Sequence, residues 1–295
     1  MRRRELFPPD RGLQVRMVLA AVLTPLSVVA LIAVCALVLP LKAVLALLAI
    51  GAIGVAMAVG DLRRASDARL LGPGEEPELQ GIVDRLCVAA DLPRPQIVLE
   101  RERQPNSWIV DAPRRAPRLH VTRGLLDLLE PMEVEAVVAH ELAHVAHRDA
   151  TVMTVVGMPG AALYEGATRA GWAMGPLMVG RLLGMVIGAI SRVGSSALSR
   201  HRELTADAGA AALTGRPSAL VSALMKVSGA LAALPSEDLR RVAARDALHL
   251  LPVADDAEKV KVWRTHPTVE ARVAALERLE RKMVTARPAP PAPRG

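Results

Sequence analysis

AVVAHELAHVAHRD, residues 136–149, carries three histidines within eight residues: His140, His144 and His147. A helix turns 100° per residue, so they lie at about 0°, 40° and 340° around its axis, on one face. Neither Pro nor Gly interrupts the stretch. Pro131, with Glu133 close behind it, gives a helix start. His140-Glu141-Leu142-Ala143-His144 reads HExxH. The i, i+4 spacing sets two imidazoles one turn apart, about 6 Å, which suits two ligands of one tetrahedral Zn²⁺. Glu141 points about 100° away from His140. There it can reach a metal-bound water without ligating the metal, the general-base geometry of metal-dependent peptide hydrolysis. His147 sits one turn beyond His144 and is read as a packing or supporting residue, because the pair needs only one more ligand.

A catalytic zinc requires a third protein ligand and an open position. One known continuation, HExxHxxGxxH, turns the chain at a glycine to present a third histidine. Here His147 stands at the glycine position and Ala150 at the last one, so that continuation fails. The other continuation takes a glutamate from a later helix. Arg202-Glu203-Leu204-Thr205-Ala206-Asp207 offers it. Glu203 and Asp207 share a helical face, and Ala206, Ala208, Ala210, Ala211 and Ala212 mark a closely packed helix in which an acidic pair needs partners. Glu203 is expected to bind the metal. Asp207 is expected to accept the ring N–H of a ligand histidine and so fix its tautomer.

Outside this site the chain is apolar and basic. Its 295 residues are 52% hydrophobic but only 2% aromatic, with a net charge of +7. No basic stripe is interleaved with aromatics, so a base-stacking nucleic-acid surface is not expected. The arginines flank apolar runs, which suits an anionic membrane surface. Residues 17–39 and 43–60 contain no charge, and each is long enough to cross about 30 Å of hydrocarbon. Pro25 is tolerable within such a helix. The short link around Lys42 makes the pair a hairpin. The first run is too long for a signal-peptide core and a second follows it. Arg2, Arg3, Arg4, Arg11 and Arg16 precede the hairpin and Arg63, Arg64 and Arg69 follow it, so both ends are expected in the cytoplasm. Residues 1–16 thus form a basic cytoplasmic N-terminus and 17–60 a transmembrane hairpin. Residues 151–191 hold shorter uncharged runs broken by Glu165, Arg169 and Arg181. They read either as a buried helical pair or as a second hairpin, with Glu165 and Arg169 paired at i, i+4. Cys35 and Cys87 are far apart in character and form no CxxC, so no disulfide framework is expected.

Elsewhere an amphipathic helix is predicted over 75–90, with Leu79, Ile82, Val83 and Leu86 on one side. Short strands follow at 96–101, 107–111 and 118–122, separated by turn-rich segments. Further helices are predicted over 197–213, over 218–234 with Ser218 as cap, and over 268–282. The Pro-rich tail 287–295 is expected to be disordered.

Three segments in order, AVVAHELAHVAHRD, SRHRELTADAGAAALTGRP and RTHPTVEARVAAL, resemble the HtpX-type membrane zinc peptidases, a family that includes the CAAX prenyl endopeptidases. The resemblance runs from about residue 78 to 282. Val121-Thr122-Arg123-Gly124-Leu125 and Asn106-Ser107-Trp108 resemble the strand motifs before the zinc helix, although the family usually has Asn-Ala-Phe at the second of these. It implies a mainly α, integral membrane protein. Its gluzincin-like metalloprotease domain, residues 75–283, would contain a small three-stranded β-sheet and hold one Zn²⁺ per chain. It implies that Asn106, Ser107 and Trp108 belong to the edge strand that pairs with an extended substrate, and that residues 151–191 are a second membrane hairpin. His266, in the shared Thr-His-Pro, either approaches the zinc cleft to stabilise an oxyanion or fill the open position, or merely precedes a helix; His120, His201 and His249 are read as structural. The implied partners are the lipid bilayer and membrane-protein or peptide substrates, misfolded ones among them, with no nucleic acid. The expected location is the cell (inner or plasma) membrane, multi-pass, with the catalytic domain in the cytoplasm. A prenyl-peptide endopeptidase and a non-catalytic membrane scaffold are the alternatives.

Overall fold

A computed structural model describes residues 6–7, 10–38, 40–42, 44–45, 69–110, 116–148, 198–233, 250–251 and 266–285. In order the chain forms α1 (Arg11–Val38), α2 (Pro77–Ala90), β1 (Gln96–Glu100), β2 (Ser107–Val110), β3 (Arg118–Thr122), α3 (Arg123–Leu128), α4 (Pro131–His147), α5 (198–214), α6 (Pro217–Ala232) and α7 (Val269–Thr285). The expected segments 151–191 and 287–295, His249 and all but two residues of 43–60 lie outside the described residues.

α4 is the centre of the core. Pro131 occupies its first turn, where the missing N–H is harmless. Glu130 and Glu133 close a capping box, with Glu133 Oε2 accepting the Glu130 N–H at 2.8 Å. Glu133 also accepts Ser222 Oγ at 2.6 Å and Lys226 Nζ at 2.8 Å, which ties the helix start to α6. Every residue from Ala136 to Val145 is buried, so α4 has no solvent face over its functional turns. α2, β2 and α6 pack around it. Each fully buried Leu or Val contributes about 1.5–3 kcal/mol relative to exposure. Small residues set the closest approach: a Cβ on Gly209 of α5 would stand 3.0 Å from Ala143 Cβ and 2.9 Å from Phe7 Cε1.

The sheet has strand order β1-β3-β2. β1 runs parallel to β3 with Gln96 opposite Arg118, and β2 runs antiparallel to β3 with Ser107 opposite Val121. Leu119 and Val121 make β3 the buried middle strand. β2 is left as the edge strand beside α4. The three predicted strands therefore form, each within a residue of its expected end.

The turn from β3 into α3 depends on one glycine. Thr122 Oγ1 accepts the Leu125 N–H at 3.2 Å, and Gly124 donates to Glu102 O at 3.1 Å. A Cβ on Gly124 would lie 1.9 Å from the Arg103 carbonyl oxygen. Backbone cannot yield as a side chain tip does, so Gly124→Ala is expected to destabilise the domain by more than about 3 kcal/mol. A thermal melt checks this; a midpoint within 2 °C of wild type, about 1 kcal/mol or less, would refute it.

Two helix starts differ from the sequence expectation for local reasons. The helix predicted from 218 begins at Pro217, whose fixed φ suits the first turn, so Ser218 lies inside the helix. The last helix begins at Val269, with Thr268 Oγ1 accepting the Ala271 N–H at 3.2 Å. Cys87 is a buried free thiol, pushed up to about 11 mainly by burial.

α1 begins inside the predicted basic N-terminus. Asp10 Oδ1 accepts the Leu13 N–H at 3.0 Å, and Asp10 Oδ2 meets His201 Nε2 at 2.8 Å and Thr205 Oγ1 at 3.0 Å. Leu6, Phe7 and Leu13 are buried, so the start of α1 docks onto α4 and α5. Beyond Arg16 the helix carries Val18, Leu19, Val22, Leu26, Val29, Val34 and Leu37 exposed. Among residues whose side chains are described, no helix is long and apolar enough to cross a membrane. Several side chains of α1 fall outside that set, while its backbone is helical for 28 residues.

Candidate active site

His140 and His144 project from adjacent turns of α4 toward Glu203 on α5. His140 Nε2 and His144 Nε2 are 3.2 Å apart. Glu203 Oε2 lies 3.4 Å from His140 Nε2, and Glu203 Oε1 lies 3.7 Å from His144 Nε2. All three residues are buried, and one ligand atom from each lies within 4.8 Å of the others. Four ligands at about 2.0–2.1 Å from a tetrahedral centre stand about 3.3–3.4 Å from one another. The imidazole pair stands near that edge length and each imidazole has a Glu203 oxygen within 3.7 Å, so the chemistry and closeness of this donor set fit a zinc ion. Among the described residues, no comparable group includes His147. Its Nδ1 lies 2.8 Å from Ala143 O and its ring meets Phe7 edge-on, which is a packing role.

Asp207 stands one turn beyond Glu203. Its Oδ1 receives His140 Nδ1–H at 2.9 Å, which leaves Nε2 as the nitrogen facing Glu203. Arg272 of α7 donates to the same carboxylate twice, from Nε at 2.8 Å and Nη2 at 2.6 Å. Arg202 Nη2 donates to Glu203 Oε1 at 2.8 Å. Both arginines are buried, so the acidic pair is neutralised inside the core.

The electrostatics follow from these contacts. Burial pushes the Glu203 carboxyl up, but His266, Arg202 and the bond from His140 outweigh it and hold it well below the usual carboxylate range. Burial likewise raises Asp207, and Arg272 and His140 more than reverse that. Burial lowers His140, yet the bonds to Asp207 and Glu203 carry its pKa up to about 9 without a metal. A zinc ion must displace that proton. Zinc affinity of the metal-free protein is therefore expected to fall about tenfold per pH unit below pH 9. Competition titration with a zinc chelator at pH 6, 7 and 8 checks this, and an affinity independent of pH would contradict it.

Glu141 lies off the ligand face, as the helix phase requires. Its Oε1 accepts Ser107 Oγ at 2.7 Å, while Oε2 is buried with no hydrogen-bond partner among the described residues. Ser107 thus joins the β2 edge to the predicted base. Asn106 lies beside it, buried, with Asn106 N donating to Thr122 Oγ1 at 2.9 Å. Trp108 turns into the sheet and stacks on His120 with ring centroids 4.9 Å apart. His120 Nδ1 meets Glu100 at 2.8 Å and His201 meets Asp10, both structural contacts. His266 is buried, with Nδ1 3.7 Å from Glu203 Oε2, so it does reach the cluster.

Sequence reasoning missed Arg272, Arg202 and the Ser107 hydroxyl. A signal for Arg272 was present: Val269, Arg272, Leu276 and Leu279 follow a 3-4-3 spacing, which puts one arginine in an apolar stripe. A charge in that position needs a buried partner, and Asp207 supplies it.

Known proteins are similar to this chain in sequence. Residues 73–280 match the profile of Peptidase family M48. A protein named Protease HtpX homolog 2 from Methanosarcina mazei is 38% identical over 226 residues, covering 73% of this chain and 77% of that protein. Protease HtpX homolog 1 from Streptomyces coelicolor is 37% identical over 298 residues, covering 96% and 98%. Protease HtpX homolog from Moorella thermoacetica is 36% identical over 228 residues, covering 73% and 76%. With most of its length matched and its histidine–glutamate cluster assembled in the core, the chain belongs to peptidase family M48, as a metalloprotease of the HtpX type.

Proposed function

We propose that this chain is a membrane-anchored zinc endopeptidase that hydrolyses peptide bonds in membrane or membrane-associated proteins, misfolded ones among them. The observation that carries the reading is the Oε2 of Glu141, buried without a hydrogen-bond partner among the described residues, on the helix that presents His140 and His144 to Glu203. His140, His144 and Glu203 would hold one Zn²⁺ per chain. When bound, the zinc polarises the scissile carbonyl and lowers the pKa of its water.

The protein's own groups do the rest. Asp207, fixed by Arg272, orients His140 with Nε2 toward the metal position. Ser107 Oγ holds one oxygen of Glu141 and leaves Oε2 to take a proton from the attacking water. Glu141 then returns that proton to the departing amine, so the base of one half-reaction is the acid of the next. His266, whose Nδ1 lies 3.7 Å from Glu203 Oε2, would donate to the oxygen of the carbonyl under attack. The substrate lies extended along the outer edge of β2, with Asn106 and Ser107 as its first contacts.

Anchoring rests on the uncharged run from Met17: the part of α1 beyond Arg16 spans about 33 Å, against about 30 Å of hydrocarbon, and its described apolar side chains are exposed. Flanking arginines favour a cytoplasmic catalytic domain in the cell membrane. The test uses full-length protein in lipid vesicles with three probes: a soluble peptide, a membrane protein with a cytoplasmic segment, and a prenylated peptide. Cleavage of the first two by wild type supports the reading. Cleavage confined to the prenylated peptide favours a prenyl-peptide endopeptidase, and no cleavage of any probe by zinc-loaded protein overturns it in favour of a scaffold.

A further inference from the structure

The outer edge of β2 is already paired. Leu250 N–H donates to Ser107 O at 2.9 Å and to Asn106 Oδ1 at 3.1 Å. Asn106 Nδ2 donates to Leu251 O at 3.1 Å. Arg272 Nη1 donates to Leu250 O at 2.7 Å. Leu250 and Leu251 are 1% and 2% exposed, as buried as core residues. Both peptide carbonyls and one N–H of this dipeptide are thus satisfied by the chain itself.

These contacts have the form of substrate recognition. Backbone bonding to a strand edge reads any extended peptide, and specificity is left to the side chains. The acceptor on β2 belongs to Ser107, whose hydroxyl holds Glu141. The Arg272 that binds the Leu250 carbonyl also holds Asp207, which orients His140. The dipeptide is therefore seated on groups one contact away from the reacting centre. A substrate strand on this edge needs the Ser107 carbonyl and the Asn106 amide, and Leu250 and Leu251 hold both.

We infer that Leu250–Leu251 is an internal substrate mimic that occupies the peptide-binding edge and keeps the enzyme self-inhibited until a substrate strand displaces it. The inference rests on the proposed placement of substrate along β2. It also names a preference: the site that takes the buried Leu250 side chain takes a large aliphatic residue of the substrate. Displacement costs the enzyme burial of two leucines and the bonds above, and a peptide that supplies the same groups recovers them. Short polar peptides do not, which restrains an otherwise unselective hydrolase.

The test uses the full-length, zinc-loaded protein in detergent. Hydrogen–deuterium exchange is followed at residues 250–251 before and after adding a hydroxamate dipeptide with two leucine side chains. Displacement predicts at least a tenfold faster exchange of the Leu250 amide with the inhibitor bound. Unchanged or slower exchange, with inhibition of hydrolysis demonstrated in the same sample, overturns the inference and leaves the protease reading intact. A second measurement uses Leu250→Pro, which removes the N–H but no group of β2. Self-inhibition predicts a several-fold rise in kcat/KM for a leucine-containing peptide, mainly through lower KM. An unchanged or lower kcat/KM in folded, zinc-replete variant makes the dipeptide a fixed wall of the site and overturns the inference. Absence of hydrolysis in both wild type and variant overturns the protease reading and, with it, this one.

Discussion

Glu141→Gln is expected to lower peptide hydrolysis by about 10²–10⁴-fold, the contribution of a positioned general base. The substitution keeps the side chain's shape and its contact with Ser107 Oγ, the bond now made at 2.7 Å. It removes the carboxylate proposed to take the water's proton. Zinc content should stay near that of wild type, because Glu141 lies about 100° around the helix from His140. Protein stability should change little or rise, since a buried carboxylate with one unbonded oxygen becomes neutral. Rates measured on purified protein with a fluorogenic peptide check this. A variant that retains more than a tenth of wild-type turnover would falsify the assignment of Glu141 as base.

The second large effect belongs to a residue that touches no substrate in the proposed mechanism's proton path. Arg272→Met is expected to destabilise the fold by about 3–5 kcal/mol, the usual result of leaving one member of a buried ion pair alone. Asp207 would keep His140 as partner but lose both guanidinium bonds. Its carboxyl would then rise toward the neutral form, and His140 would lose the acceptor that fixes its tautomer. Zinc affinity should fall about 10–100-fold, as for other outer partners of metal ligands. Asp207→Asn tests the same chain from the other side and should weaken zinc with a smaller loss of stability. A chemical melt and a zinc titration on each variant separate the two effects. Arg272→Met with wild-type stability would mean that the Asp207 pair is solvated in the native protein.

Part of this site was legible in the sequence. Local patterns were. The phase of His140, Glu141 and His144 follows from 3.6 residues per turn, and the structure sets Glu141 off the ligand face as that phase demands. Glu203 and Asp207 were legible because an acidic pair in an alanine-rich helix needs partners. The strands were legible from short apolar runs between turn residues, and their ends fall within one residue of expectation. Their order was not: the parallel pairing of β1 with β3, with β2 at the edge, depends on crossovers that no short-range pattern encodes.

Long-range contacts were the other gap. Ser107 and Glu141 are 34 residues apart, Asp207 and Arg272 are 65 apart, and Asn106 and Leu250 are 144 apart. Each joins residues that are ordinary in their own segments. Ser107 reads as a strand residue, and Arg272 as a charge on an amphipathic helix. Leu250 and Leu251 read as two leucines before a proline. Only the fold makes them a base holder, an anchor for Asp207 and a strand mimic. His266 falls between the cases. Its motif marked it, and its distance of 3.7 Å from Glu203 brings it into the cluster, but a lone His-Pro carries no direction.

The membrane reading depends on a different kind of pattern. The uncharged run from Met17 is continuous in the sequence, and α1 is helical through Val38. Its start is pinned by Asp10 to His201 and Thr205, each two residues from Glu203 on the same helix. The start of α1 is therefore tied to the helix that carries Glu203.

The central claim is that His140, His144 and Glu203 hold the metal and Glu141 does not. Its most direct test is zinc content per chain, measured by elemental analysis on wild type, Glu141→Gln and Glu203→Ala purified in parallel. The account predicts about one equivalent in the first two and well under half in the third, as expected when one of three protein ligands is lost. A full equivalent in Glu203→Ala, or loss of zinc in Glu141→Gln, would contradict it.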